Sequence, residues 1–316
     1  MPSSQDRLAI VIVTFRRSAL LKELLQSIQR LPRPPYRVVV VDNASGDDTQ
    51  DVIEQARPGF PPDVLINHLS PANTGGAGGF HTGVKLAYAA GAEWIWVMDD
   101  DVEVLPEAID RLRPWLKRFK CLHGRRYDVD GSPFYWQARF NQFLGVPLPY
   151  SSNHFNRQGY ALTNSGTFEG MLIHREVVAQ IGYPDPRFFI TWDDATYAWL
   201  ASRHTEVAYV DAFVLKRKRP QRKIQLVIRH LNDSSPMVKY HTMRNRGYVA
   251  RYFQLYGQLH PVGFAIGTAM TLAKELVRLI LVERSPKGLG QLLRGLHDAG
   301  VLRRDAAWQP MPALTD

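Results

Sequence analysis

Cysteine is nearly missing from this chain: Cys121 is the only one in 316 residues. A single thiol excludes an intramolecular disulfide framework and leaves a cysteine-based metal site without ligands. Such usage fits a reducing compartment. Long apolar runs are also missing. The most apolar late stretch, Val262 to Val282, is broken by Lys274, Glu275 and Arg278, which argues against a membrane span. The N-terminus is short and polar before the first strand, so no secretory signal is expected. Acidic residues are outnumbered, 30 Asp and Glu against 39 Lys and Arg, giving a net charge of +9. A basic excess attracts nucleic acid, anionic lipid or phosphorylated compounds. It is concentrated in Arg111 to Arg126 and in Lys216-Arg217-Lys218-Arg219, continued by Arg222 and Lys223. No DNA- or RNA-binding motif accompanies these runs, so nucleic acid is not the expected partner.

Two nucleotide-binding signatures fail as well. In Gly75-Gly76-Ala77-Gly78-Gly79 the spacing G-x-G-x-x-G would need glycine where His81 stands, and Val84 holds the Walker lysine position. Dinucleotide and P-loop readings lose their support, although clustered glycines still let backbone approach a ligand.

What is present is a full-sized domain with 45% hydrophobic residues, enough for a true core. Strands are expected at Leu8–Phe15, Arg37–Val41, Val64–Leu69, Trp94–Met98, Phe168–His174 and Val207–Leu215. Helices are expected at 18–29, 49–56, from the glycines to Ala90, from about Pro106, at 175–181 and at about 195–202. Strands alternating with helices predict an α/β fold around a mostly parallel sheet, whose ligands bind beyond the strands' carboxyl ends. Residues 122–165 carry no clear periodicity, and 237–304 read as helical. The expected organisation is one α/β domain over 1–235, with a nucleotide half over about 7–120 and an acceptor half over 121–235. A helical region follows over 236–316. Ile266, Ala269, Met270, Ala273, Leu276, Val277, Ile280 and Leu281 share one helix face. That face is expected to pack on the core, with a membrane-surface helix as the alternative.

The stretch Trp94-Ile95-Trp96-Val97-Met98 ends in Asp99-Asp100-Asp101. A buried strand that delivers three carboxylates crowds like charges where water is scarce. One of them can cap the next helix; three require a cation.

Several segments then occur in order: Ile10 to Arg17, Val40 to Ser45, Asn73 to Phe80, the triple aspartate, and Trp192-Asp193-Asp194. Together they resemble the family 2 inverting glycosyltransferases with the GT-A fold, over roughly residues 7 to 245. Within that family the likeness is to bacterial galactofuranosyltransferases and rhamnosyltransferases of cell-surface glycan synthesis. Lys239-Tyr240-His241-Thr242-Met243-Arg244-Asn245-Arg246 looks like a segment of the galactofuranosyl branch.

The resemblance implies a use for the aspartates. A nucleotide-sugar diphosphate is itself anionic, so a divalent metal, Mn²⁺ or Mg²⁺, would stand between it and the carboxylates. Asp99 and Asp101 would hold the metal, with Asp100 near the ribose or donor sugar. Thr14, Arg16, Asp42, Asn73 and Gly76 would line the nucleotide site, Asp42 against uracil. Asp194 would be the general base, with Asp193 as the alternative or as an orienting neighbour. Trp192 and Glu169 would meet the acceptor. Where relatives place a third metal ligand, a histidine, this chain has Lys216; His230 is the expected substitute and His241 the next.

The expected activity is transfer of galactofuranose from a UDP-sugar donor to a lipid-linked or polysaccharide acceptor, polyprenyl-diphosphate-linked acceptors being usual among such enzymes. It would take place in the cytoplasm at the inner face of the cell membrane, against an anionic membrane surface. A dTDP-rhamnose donor is the same-class alternative. A nucleotidyltransferase and a non-catalytic nucleotide- or lipid-binding module are the alternatives of other classes. Acceptor, linkage and any homo-oligomer stay open.

Overall fold

The structure is a computed structural model that describes residues 7–134, 137–150, 154–220, 224–226, 229–231 and 235–314; for 224–226 and 229–231 it describes the backbone alone. The first half runs β1 (Leu8–Thr14), α1 (Ser18–Gln29), β2 (Arg37–Asp42), α2 (Thr49–Ala56), β3 (Leu65–Leu69), α3 (Gly75–Ala89) and β4 (Trp94–Asp99). Next come β5 (Val102–Val104), α4 (Ala108–Leu116), β6 (Cys121–Tyr127), β7 (Pro133–Phe134), β8 (Ala138–Asn141), β9 (Val146–Pro149), β10 (Tyr160–Thr163) and β11 (Met171–His174). The chain continues through α5 (Arg175–Ile181), α6 (Asp193–Ala201), β12 (Val207–Arg217), β13 (Ile224–Leu226) and β14 (Arg229–Leu231), then α7 (Pro236–Leu255), α8 (Pro261–Val277) and α9 (Leu289–Arg304).

The main sheet has the order β10-β12-β6-β11-β4-β1-β2-β3. Strands β3, β2, β1 and β4 are parallel, whereas β11 enters antiparallel between β4 and β6. The sheet is therefore parallel through the first half and mixed beyond it. Every residue of β1 is buried, because both sheet faces are covered. Leu8, Ile10 and Ile12 join the cluster beneath α1, whose Leu21, Leu24, Leu25 and Ile28 follow helical spacing. Ala9, Val11 and Val13 join the opposite cluster, beneath α3, α6 and α7.

Helix α3 lies close to β1 because two of its glycines leave room. A Cβ at Gly79 would stand 2.4 Å from Val13, and one at Gly83 2.3 Å from Val11. The glycine-rich stretch thus serves helix-on-strand packing as well as the loop before it.

The last three helices belong to the same body. Tyr248, Val249, Tyr252 and Phe253 of α7 and Phe264 of α8 lie in the core cluster that contains β1. Helix α9 lies along α7, where Gly295 faces the Tyr240 carbonyl and Gly247 faces Ala299.

The predicted apolar face of α8 is found, but it does not pack on the core. Val262, Ile266, Met270 and Val277 of α8 are exposed, as are Ile280 and Leu281 in the π-helical turn Arg278–Glu283 that continues it, Ile280 at 67%. The helix touches the core instead through Gly263, Phe264, Gly267 and Thr271. Small residues there admit the 142–145 loop, with Gly267 against the Leu144 carbonyl. Among the described residues no helix is long and apolar enough to cross a membrane.

Candidate active site

Strands β1, β2 and β4 end in register, Thr14 beside Asp42 and Val13 beside Asp99. The carboxyl edge of the sheet thus gathers the first group of predicted residues. Asp42 is buried and accepts from the Ser45 N–H at 2.9 Å and from the Gln50 amide at 2.7 Å. It closes the turn after β2. Ser45 in turn accepts from the Arg16 N–H, and its carbonyl accepts from Arg16 Nε at 3.1 Å. Arg16 has φ 54°, a left-handed backbone uncommon outside glycine.

Asn73 is exposed, and its Oδ1 accepts from the Gly75 N–H and from the Asn43 amide. Asn43 also donates to the Gly75 carbonyl and accepts from Thr74. This buried asparagine fastens the β2 end to the loop before α3, a role the sequence reading did not assign to it. Gly76, in the first turn of α3, faces open space, so a ligand can approach its backbone there.

The acidic run is unequally compensated. Asp100 is buried, accepting from Thr14 Oγ1 at 2.7 Å and from Arg17 Nη1 at 2.9 Å. Arg17 also reaches Asp101 at 3.3 Å. Burial raises the Asp100 carboxyl, and Arg17 and Thr14 pull it back. Asp99 accepts no hydrogen bond among the described residues. Burial first, then the charges of Asp101, Glu169 and Asp100, push it well above the usual carboxylate range.

Asp99 and Asp101 therefore suit a divalent cation: hard oxygen ligands, one without a hydrogen-bond partner among the described residues, in a negative field that Arg17 offsets only in part. A third ligand is not gathered with them, since among the described residues no group of three His, Cys, Asp or Glu is arranged for a metal. His230 lies on β14 opposite Gln225, but its side chain falls outside the described residues. His241 stacks on Phe189 at 4.8 Å, and its Nδ1 has no partner.

Beyond β11 the site turns basic. Glu169 lies 2.9 Å from Arg126 and 3.3 Å from Arg217, and Arg217 also reaches Asp128 at 3.4 Å. Lys218 pairs with Glu23 and Glu103, and its N–H donates to the Asp101 carbonyl. Half of the Lys216–Arg219 run is thus engaged within the protein rather than offered to a partner. Arg222 and Lys223 lie outside the described residues. The sequence reading missed Arg126 and Arg17 as site residues, since arginines scattered over the chain carry no spacing signal. Next to Glu169 opens a cleft of about 370 Å³ lined by His123, Arg126, Gln137, Thr167, Glu169 and Tyr209.

Asp193 and Asp194 open helix α6, where the helix N-terminus favours negative charge. Asp194 Oδ1 accepts from the Ala195 N–H at 2.7 Å. Burial raises both carboxyls. The charge of Asp194 raises Asp193 further, while the Ala195 N–H and the field of Arg126 hold Asp194 lower. The two carboxyls titrate as one coupled pair raised by burial, which favours retention of a proton between them. Arg126 connects the two acidic groups, ion-paired to Glu169 while acting on Asp194; Glu169 in turn acts on Asp99.

The segment leading into α6 is strained. Phe189 (φ 65°, ψ −59°), Thr191 (φ 66°) and Trp192 (φ 70°, ψ −17°) are left-handed without being glycine. Phe189 forms the rare form of γ-turn, with the Ile190 N–H donating to the Phe188 carbonyl at 2.8 Å. Such residues cost on the order of 1–3 kcal/mol each and persist only when their surroundings over-determine them. Trp192 donates through Nε1 to the Thr242 carbonyl at 2.8 Å and is half-buried against Phe140 and Arg246.

Comparison with known proteins gives a consistent picture. The family description "Glycosyl transferase family 2" matches residues 9–182. The galactofuranosyltransferase GlfT1 of Mycobacterium tuberculosis is 27% identical over 306 residues, covering 90% of this chain and 92% of its own. Two solved structures share the fold. S. aureus TarS 1-349 in complex with UDP-GlcNAc has a TM-score of 0.60 at 15% identity, over 94% of this chain and 81% of that one. The mannosyltransferase PcManGT from Pyrobaculum calidifontis, in complex with GDP-Man and Mn²⁺, has a TM-score of 0.51 at 14% identity, over 96% and 88%.

Proposed function

The chain belongs to glycosyl transferase family 2 and is a glycosyltransferase of the GT-A fold, and from that premise we propose that it transfers galactofuranose from UDP-galactofuranose, with inversion, to a lipid-linked or polysaccharide acceptor. One arrangement carries the mechanism: Arg126, ion-paired to Glu169, acts by its charge on the carboxylate pair at the start of α6, and Glu169 acts likewise on Asp99 at the acidic end of β4. Likeness to GlfT1 along nearly the whole chain supports the sugar.

Asp194 takes the proton of the acceptor hydroxyl as that oxygen bonds to the anomeric carbon. The bond from the anomeric carbon to the nucleoside diphosphate breaks on the opposite face, and the leaving group carries away the electron pair. Asp193, holding its own proton, donates a hydrogen bond rather than competing as base. Asp99 and Asp101 would hold Mn²⁺ or Mg²⁺, which when bound stabilises the departing diphosphate as a Lewis acid. Thr14, Arg16, Asp42, Asn73 and Gly76 bound the nucleotide pocket, Asp42 and Asn73 by fixing its turns. Trp192 and Glu169 border the acceptor cleft. Residues 1–235 act as the transferase domain and 236–316 as a helical region that supports it.

The exposed stripe from Val262 to Leu281 fits an anionic membrane surface, which would bring a lipid-linked acceptor to the cleft. Arg284 and Lys287 are exposed just beyond it. Incubation of the enzyme with UDP-galactofuranose, dTDP-rhamnose or UDP-glucose, followed by mass measurement of the glycan product, decides the donor. A mass gain with dTDP-rhamnose alone replaces the sugar; diphosphate release without transfer removes the transferase reading.

A further inference from the structure

The strained segment 188–192 has no glycine to make its backbone easy, yet it ends directly on Asp193. What holds it comes from α7. Asn245, fully buried, donates from Nδ2 to the carbonyls of Phe188 (2.9 Å), Ile190 (2.8 Å) and Thr191 (2.9 Å). Its Oδ1 accepts from Arg244 Nε at 3.0 Å and Nη2 at 2.7 Å. Arg244 Nη2 also donates to the carbonyls of Arg187 and Phe188. His241 stacks on Phe189, and the Thr242 carbonyl receives the Trp192 N–H. From the other side, the Phe189 carbonyl accepts the Ala77 N–H at 3.0 Å. A Cβ on Gly75 would stand 2.1 Å from that same oxygen.

An amide that spans three carbonyls of a five-residue segment fixes the segment's shape, and a neighbouring guanidinium fixes the amide. Neither side chain lies on a strand of the sheet, and among the described residues neither hydrogen-bonds to Asp193 or Asp194. We infer that Asn245, oriented by Arg244, is a positioning residue that sets where Asp193 and Asp194 stand, so that the C-terminal helical region completes the catalytic centre. This rests on the reading of the Asp193–Asp194 pair as the proton-accepting group. The physical reason is general: a misplacement of about 1 Å can cost about a hundredfold in rate.

The test uses the full chain, with UDP binding by calorimetry alongside steady-state transfer. Asn245→Asp keeps size and the acceptor for Arg244 but removes both N–H donors. It is expected to lower kcat about a hundredfold while leaving UDP affinity and donor KM within about twofold. Arg244→Lys, which leaves Asn245 in place, should lower kcat about tenfold with the same pattern and serves if the first variant does not fold. Placed in an Asp194→Asn background, Asn245→Asp should add little further loss, because both changes act on one group. Wild-type kcat in either single variant overturns the inference, as does a loss that multiplies fully in the double variant or falls equally on UDP affinity. Wild-type kcat in Asp194→Asn alone strikes the base assignment instead, while a kcat loss in Asn245→Asp then supports the clamp with Asp193 as the residue served.

Discussion

At the end of β4 three carboxylates meet a guanidinium; at the start of α6 two carboxylates meet a helix terminus and each other. Arg17 touches Asp100 and Asp101 directly, so that cluster is compensated by a cation and leaves Asp99 as its unpaired member. Asp193 and Asp194 are met by backbone N–H groups of the first helical turn, Ala195 among them, and by the more distant Arg126, which is already paired to Glu169. Burial then keeps a proton on the pair. The first arrangement can exchange its protein cation for a bound one. The second can exchange a proton. The proposed function uses the two in this way, with metal and diphosphate on one side and acceptor hydroxyl on the other.

The largest expected effect breaks the comparison at the proton side. Asp194→Asn keeps the size and the bond to Ala195 but removes the proton acceptor, and turnover should fall about 10²- to 10⁴-fold. Nucleotide affinity, which the proposed function assigns to the β1, β2 and β4 ends, should barely change. Asp193→Asn should act mainly on the acceptor's apparent KM. Rates and UDP binding of both variants decide between them: near-normal turnover in Asp194→Asn with none in Asp193→Asn reverses the roles.

A smaller effect sharpens the cation side. Arg17→Met leaves Asp100 buried with only Thr14 for a partner. The loss in stability should be about 1 kcal/mol, discounted because the guanidinium is 39% exposed. If a divalent cation can take over the compensation, Mn²⁺ should raise the melting temperature of Arg17→Met more than that of the parent. Equal Mn²⁺ shifts in the two proteins would show that the cation does not replace Arg17, and no shift in either would remove Asp99 and Asp101 as the metal site. Chelator should likewise abolish transfer; full activity in excess chelator removes the metal from the mechanism.

Much of this was legible from residue pattern. Strands such as Leu8–Thr14 are unbroken apolar runs, and α1 carries its leucines at helical spacing, so local sequence specifies them. The acidic run was legible because charge at a buried strand end is conspicuous, and the Asp193–Asp194 pair through the family resemblance of Trp192-Asp193-Asp194. Three things were not. Residues 122–165 form short, partly polar strands and hairpins, β6 to β10, too brief for any period to emerge. The face of α8 was legible as apolar, but periodicity does not say whether protein covers it; Gly263 and Gly267 turn the opposite face inward. The clamp by Asn245 and Arg244 lies 51 and 50 positions after Asp194 and depends on three left-handed residues in a row of four, which no local pattern encodes.

The smallest expected effect reads the proton itself. Asp193 has a carboxyl raised in the folded protein by burial and by the charge of Asp194. The folded state therefore binds a proton that the unfolded chain has already released. Stability is fully present below the unfolded value, about 4, and is lost as pH rises through the folded value. Asp193→Asn removes this dependence, because asparagine does not titrate. The variant should thus gain on the parent as pH rises from 5 to 8, by about 1 kcal/mol, since a tenfold difference in proton affinity corresponds to about 1.4 kcal/mol. Urea midpoints of both proteins at the two pH values measure the difference for the coupled pair, and titrating groups outside it cancel between them. A gap that stays constant with pH would mean that the pair holds no proton. The comparison between a cluster held by a cation and one held by a proton would then lose its second half.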